Sequence, residues 1–263
     1  MEDALGKDSW RVWDREKGYG EMFYRRAVGK LSEMESSRAV AKHVEKLVKA
    51  NDMILDVGCG GGHYLVSLDK RLRVPFSYCG IDATAHYIRL AKKAFGKDVN
   101  HNPLRTSCSF RVGDIFNLKL EDNYADVVMC NNVLLHLPSI EEPIRELWRV
   151  AGKSLILRAL IGRNSFRIKQ INPPERYGDN GEPRNFHYYN IYSQDYVLRL
   201  INRLRGVEKY SLIEDRDFIP SRISNSGYKR GRKPHDLTVM VNGMQVNGYI
   251  IQPWKFLILQ KSR

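Results

Sequence analysis

Residues 54–65 read ILDVGCGGGHYL, and they constrain this chain more than any other stretch. An apolar run breaks at four glycines within five positions, then resumes at helical spacing. Glycine at such a junction lets the backbone turn sharply and lets a ligand lie against main-chain N–H groups. The strict G-x-G-x-x-G phosphate fingerprint fails, because His63 stands where its last glycine belongs. Asp56, two residues before the first glycine, would also repel a phosphate and suit a ligand that carries an ammonium group.

What surrounds this turn is an alternation of strands and helices. MESSRAVAKHVEKLVKA (34–50) has helical apolar spacing and leads into the strand before the turn. PFSYCGID, SCSFRVGD, ADVVMCNN and SLILRALIG read as the second to fifth strands, with helices at ATAHYIRLAKKAF and IEEPIRELWRVA. Continuous apolar strands of this kind belong to a parallel sheet covered on both faces. The expected fold is therefore α/β and doubly wound. It has a mostly parallel seven-stranded sheet, helices on both faces and an antiparallel last strand. An insertion follows strand five at 162–192, and helix SQDYVLRLINRLR starts from Ser193 as N-cap. VEKYSLIED is strand six. LTVMVNGMQVNGYIIQ adds two strands in a hairpin-like C-terminal extension with Asn-Gly turns at 242–243 and 247–248, and PWKFLILQK closes the sheet. The expected organisation is a lid-like segment 1–35 and a single domain 36–263, with a basic loop at 215–236.

Four pieces, each at the C-terminal end of an expected strand, resemble the class I S-adenosylmethionine-dependent methyltransferases over roughly residues 35–160. Asp56, Gly58, Gly60 and Gly62 match that family's first motif, which holds the amino-acid part of the cofactor. Asp82 and Ala83, in GIDAT, stand where an acidic residue takes the ribose hydroxyls. Asp114 and Ile115, in VGDIF, stand where a side chain meets the adenine amine and an apolar one packs on its ring. Asn131 and Asn132, in CNNVLLHLP, would border the methionine portion. The resemblance implies S-adenosyl-L-methionine as cofactor, S-adenosyl-L-homocysteine as product and no metal. It also implies that the main task is alignment of the acceptor for in-line attack.

For the acceptor side the residues leave alternatives open. His136 reads as a general base or pocket wall, or as a histidine closing a helix against backbone. His187, Tyr188 and Tyr189 read as a roof over the site or as packing of the insertion on the sheet. Tyr19 and Tyr24, with Trp10, Trp13 and Phe23, read as a lid of the kind related enzymes use, or as anchors of a helix to the core. Arg163, Arg167, Lys169, Arg176 and Arg184 share the insertion with those aromatics and suggest an anionic small-molecule acceptor, methylated on oxygen or nitrogen. Arg163 and Arg184 are the substrate contacts singled out. INPPE (171–175) is set aside as a nucleic-acid methylation motif, because it follows the fifth strand and lacks the aromatic.

The net charge of +13 bears on partners. Residues 151–263 carry 20 Lys/Arg against 9 Asp/Glu, so the excess belongs to one region. YKRGRKPHD (228–236) concentrates it, and reads as an exposed connection, a clamp over an anionic acceptor, or a nucleic-acid contact. An RNA methyltransferase and a protein or carrier-bound acceptor are the alternatives to a small molecule. No apolar run is long enough for a membrane span, and the polar N-terminus lacks a secretory h-region, so no membrane partner and a cytoplasmic location are expected. Cys59, Cys79, Cys108 and Cys130 lack C-x-x-C spacing and read as buried free thiols. Oligomeric state is not legible.

Overall fold

The structure, a computed structural model, describes residues 11–14, 17–96, 106–217, 238–241, 244–247, 250–252 and 254–262. Trp10 and residues 228–236 lie outside them. α1 (Lys17–Ala27) and α2 (Glu35–Val44) precede the sheet. Then follow β1 (Asp52–Val57), α3 (His63–Arg71), β2 (Phe76–Asp82), α4 (Ala85–Phe95), β3 (Ser107–Val112), β4 (Ala125–Asn131), α5 (Glu141–Val150) and β5 (Ala151–Gly162). The insertion holds β6 (Lys169–Ile171), β7 (Phe186–Tyr188) and the two-residue β8 (Tyr192–Ser193). α6 (Gln194–Ile201) and β9 (Val207–Glu214) come next, then β10 (Thr238–Val241), β11 (Met244–Asn247), β12 (Ile250–Gln252) and β13 (Trp254–Lys261).

The main sheet runs β3-β2-β1-β4-β5-β13-β9, with β8 added on β5. The first five strands are parallel, and β13 is antiparallel to both β5 and β9. This is the expected doubly wound sheet with its antiparallel last strand. Strand order reverses between β1 and β4, the place where such sheets leave a crevice at their C-terminal edge.

The period-two geometry of strands sorts the core into two layers. Leu55, Val57, Val128, Cys130, Leu155 and Leu157 pack with Ile144, Leu147, Val197 and Leu200 of α5 and α6. Ile54, Val127, Met129 and Ile156, one residue out of phase, pack with Val40, Leu65, Leu68 and Ile88 of α2, α3 and α4. Each such buried aliphatic side chain contributes about 1.5–3 kcal/mol. Ser193 caps α6 as expected, its Oγ accepting from the Tyr196 amide at 3.2 Å. All four cysteines are free; Cys59, Cys79 and Cys130 are buried, and Cys108 is partly so.

Two expectations need correction. The C-terminal extension forms a sheet of three strands, not two, and Asn247 pairs with Ile250 inside it. Strand five contains a buried charge that its apolar pattern did not announce. Arg158 is 2% exposed and pairs with Asp215 at 2.6 Å, with its guanidinium 4.0 Å from the Trp254 ring. No helix among the described residues is long and apolar enough to cross a membrane.

Candidate functional site

A cavity of about 430 Å³ opens at the C-terminal ends of β1, β2 and β4, beside the point where strand order reverses. Its floor begins with the turn after β1. Gly58 and Gly60 line it with φ of 82° and 54°, in the left-handed region that favours glycine. A Cβ on Gly58 would lie 2.2 Å from Val133 Cγ2, so the close approach also requires glycine.

Asp82, at the end of β2, lies against this turn. Its Oδ2 accepts from the Gly60 amide and its Oδ1 from the Thr84 amide, each at 2.8 Å. Burial raises its pKa, and those two N–H bonds oppose the rise. Ala83 lines the cavity next to it. Asp114 and Ile115 form a rim. One Asp114 oxygen accepts from the Phe116 amide at 3.0 Å, and Ile115 is buried. Asn131 also faces the cavity, and neither its Oδ1 nor its Nδ2 has a partner among the described residues, although both are buried. The Asn132 side chain is committed elsewhere: Oδ1 accepts from Arg158, and Nδ2 donates to the Tyr64 hydroxyl at 3.2 Å. It lines the cavity all the same, with φ of 60°.

Two motif residues do not reach the cavity. Asp56 has the strand parity of Ile54, so its side chain turns under the sheet, where Tyr78 Oη donates to it at 2.7 Å. Burial pushes its pKa up to about 7. A direct Asp56 contact with an ammonium group, expected from the sequence, is not what this geometry offers. Gly62 turns the chain with φ of 78° and packs against Phe95 and Phe110.

The N-terminal segment covers the opening. Arg11, Trp13, Asp14, Phe23 and Met34 line it. Arg11 donates to the Ala83 carbonyl at 3.2 Å and pairs with Asp14 at 3.1 Å, while Thr84 Oγ1 donates to Asp14 at 3.0 Å. Phe23 stacks on His63 at 4.5 Å and 3°. Of the lid residues named from the sequence, Trp13 and Phe23 line the cavity, and Tyr19 and Tyr24 do not. Tyr19 is 46% exposed and touches Trp13, Tyr24 lies under Lys93, and neither lines the cavity.

The insertion packs against the far wall without lining the cavity itself, so His187, Tyr188 and Tyr189, expected to roof it, stand behind that wall. Asn190, fully buried, ties the insertion to the turn after β4. Its amide N–H donates to Leu135 O at 2.8 Å, and Nδ2 to Leu137 O at 2.9 Å, while Oδ1 accepts from the Ile168 amide at 3.2 Å. His136 sits on that turn and lines the cavity. Its Nδ1–H donates to the Tyr188 carbonyl at 2.9 Å, which leaves Nε2 as a bare acceptor. Burial brings its pKa down to about 4, so the ring is neutral at pH 7. His187 Nδ1 donates to Asn172 Oδ1 at 3.0 Å, and burial lowers its pKa as well. Trp13 sits against both imidazoles, with centroids 4.6 Å and 6.1 Å away. The His136 ring is also 5.9 Å from Tyr189. Asn172, from the set-aside INPPE stretch, thus serves to orient a histidine. Asn190 and Asn172 carry no local signal, since an asparagine in a polar loop looks like any turn residue.

The arginines fare less well. Arg163 and Arg184 are exposed and do not line the cavity. Arg167 comes nearer: its guanidinium donates to the Pro138 carbonyl at the rim and lies 5.9 Å from the Tyr188 ring. No group of three or more His, Cys, Asp or Glu side chains placed to hold a metal occurs among the described residues.

Comparison with known proteins agrees with this architecture. Residues 55–154 match the methyltransferase domain family. An uncharacterized methyltransferase of Schizosaccharomyces pombe is 36% identical over 107 residues, 40% of this chain and 38% of that protein. A demethylmenaquinone methyltransferase of Lactiplantibacillus plantarum is 29% identical over 101 residues, 38% of this chain and 41% of that protein. The matched stretch thus spans about two fifths of these relatives. A SAM-dependent methyltransferase structure from Methanosarcina mazei shares the fold, with a TM-score of 0.53 and 20% identity over 83% of this chain and 96% of that one. Residues 55–154 thus carry a methyltransferase domain, and the glycine turn, the acidic end of β2 and the β3-β2-β1-β4-β5-β13-β9 sheet are its frame.

Proposed function

We propose that the protein transfers the methyl group of S-adenosylmethionine to an oxygen or nitrogen of a small-molecule acceptor held beside His136. One observation carries this reading: a single cavity joins the glycine turn and Asp82 to the neutral imidazole of His136. The residues fit the cofactor. Gly58 and Gly60 leave a cradle that a Cβ would fill, and Asn131 aims an unpartnered amide into it. When bound, the sulfonium supplies an electrophilic methyl.

In this assignment Asp82 accepts the ribose hydroxyls, Asp114 and Ile115 receive the adenine, and Asn131 with the main chain at Asn132 borders the methionine part. Asp56 acts indirectly, by holding β1 to β2 through Tyr78. Trp13 and Phe23 exclude water. His136 Nε2 accepts a hydrogen bond from the acceptor's O–H or N–H and takes the proton as the methyl arrives. A ring with a pKa of about 4 is a weak base, which suits a site that first orients a lone pair. His187 does not line the cavity; it backs Trp13 from behind, with ring centroids 6.1 Å apart. Of Arg163, Arg167, Lys169, Arg176 and Arg184, from which an anionic acceptor was inferred, Arg167 supports it, through its bond to the Pro138 carbonyl at the rim. Small-molecule methylation is also what the names of several relatives carry, norajmaline N-methyltransferase of Rauvolfia serpentina among them.

Titration with S-adenosylhomocysteine tests the cofactor half. We expect micromolar binding to the wild type and a loss of at least 10-fold in Asp82→Ala; no binding by the wild type would overturn the proposal. An RNA acceptor is the competing outcome. It would show as RNA affinity that falls steeply with salt.

A further inference from the structure

Behind the glycine turn lies a second cavity of about 380 Å³, between the end of α1 with residues 28–34 and the first turns of α3. Its wall carries Arg26, Lys30 and Lys70 against one carboxylate, Glu33. Glu33 is already taken, because Arg71 binds it through two bonds of 2.6 and 2.9 Å. Arg26 has no such counterion among the described residues. Its Nε and Nη1 are shielded from solvent and find no hydrogen-bond partner among them. His63 stands beside them, 7% exposed, with both ring nitrogens likewise unpartnered.

Buried donors without acceptors forfeit their hydration with nothing in return, the more so when charged, so proteins rarely keep several in one place without use. The guanidinium fork matches the oxygens of a carboxylate or phosphate. α3 begins at His63 and has no side-chain cap, so its N-terminal partial charge has the same sign preference. His63 and Met34 belong to the walls of both cavities, so a ligand in one can extend toward the other.

We propose that Arg26 and His63 form an oxyanion site at the back of the cofactor cavity, which takes a carboxylate or phosphate group. The group has two sources. It is either the carboxylate of the cofactor's amino-acid part, which rests on the methyltransferase reading, or a separate small anion, which does not.

Calorimetry on the full chain separates them, using wild type, Arg26→Gln, Arg26→Lys and His63→Phe. The probes are S-adenosylhomocysteine, its analogue lacking the carboxylate, and inorganic phosphate with and without S-adenosylhomocysteine. If the cofactor supplies the group, Arg26→Gln weakens S-adenosylhomocysteine at least 10-fold, leaves the analogue unchanged, and Arg26→Lys recovers part of the loss. If the anion is separate, all proteins bind S-adenosylhomocysteine alike, and phosphate binds the wild type but not Arg26→Gln. His63→Phe keeps the stack on Phe23, and it follows the same pattern more weakly if Arg26→Gln does not fold. The site is disproved if Arg26→Gln and His63→Phe bind every probe as the wild type does. Failure of the wild type to bind S-adenosylhomocysteine or its analogue removes the methyltransferase reading, while the phosphate titration still decides this one.

Discussion

The floor of the cavity is mostly main chain, and its roof is mostly side chain. Gly58, Gly60, the amides that hold Asp82 and the backbone at Asn132 come from strand ends whose positions the sheet fixes. Trp13 and His136 line the cavity from segments far apart in sequence, and His187 backs them, the three held together by Asn190, Asn172 and ring contacts. A floor of this kind binds a ligand common to many proteins of one fold. A roof of this kind can change its acceptor without disturbing the sheet, which is why fold and specificity separate so readily in α/β enzymes.

The largest effect is expected beneath the floor. Arg158 is buried between Asp215 and Asn132. Arg158→Leu strands a buried carboxylate and should cost about 3–5 kcal/mol in chemical denaturation. The double variant Arg158→Leu/Asp215→Leu should recover most of it. A single-variant loss below about 1 kcal/mol would show that the floor does not depend on this pair.

On the roof, His136→Gln should lower kcat about 100-fold, the range of general base catalysis, while leaving S-adenosylhomocysteine affinity unchanged. Equal losses in both would mean that roof and floor are one unit. Smaller again is Gly58→Ala. The added Cβ meets Val133, and φ of 82° is strained for alanine, so cofactor affinity should fall about 10-fold. Val133→Ala in the same chain should return part of that by removing the clash.

This contrast also explains what the sequence could reveal. The floor is local in sequence: ILDVGCGGGHYL, GIDAT, VGDIF and CNNVLLHLP each carry a strand end and its ligand-facing residue together, so four short stretches suffice to read it. The roof is not local. Of the aromatic residues read as a lid, Trp13 and Phe23 reach the cavity, and Tyr19 and Tyr24 do not, because the face of α1 that meets it presents Phe23. Arg163 and Arg184 looked like substrate contacts because they share a segment with aromatics, and a loop's charges usually end in solvent. Asp56 was misplaced for a different reason. Its motif position is right, but the pleat of β1 sends alternate side chains to opposite faces, and the shared parity with Ile54 carries it to Tyr78.

Asp56 therefore gives the finest test of the division between floor and support. In the fold it keeps its proton up to about pH 7, against about 3.9 in an unfolded chain. Between those values the native state binds the extra proton, so stability falls as pH rises through that window, by at most about 1.4 kcal/mol per pH unit. His136 acts in the opposite sense. Its folded pKa of about 4 lies below the unfolded value of about 6.5, so it contributes a gain in stability as pH rises across that range. Asp56→Asn removes the first contribution and keeps an oxygen that can accept from Tyr78. The variant should be more stable than the wild type at pH 8, by about 1–2 kcal/mol, and the difference should shrink toward pH 4. Its affinity for S-adenosylhomocysteine should stay within about twofold. A loss of 100-fold would instead return Asp56 to the floor, as a direct contact of the ammonium group.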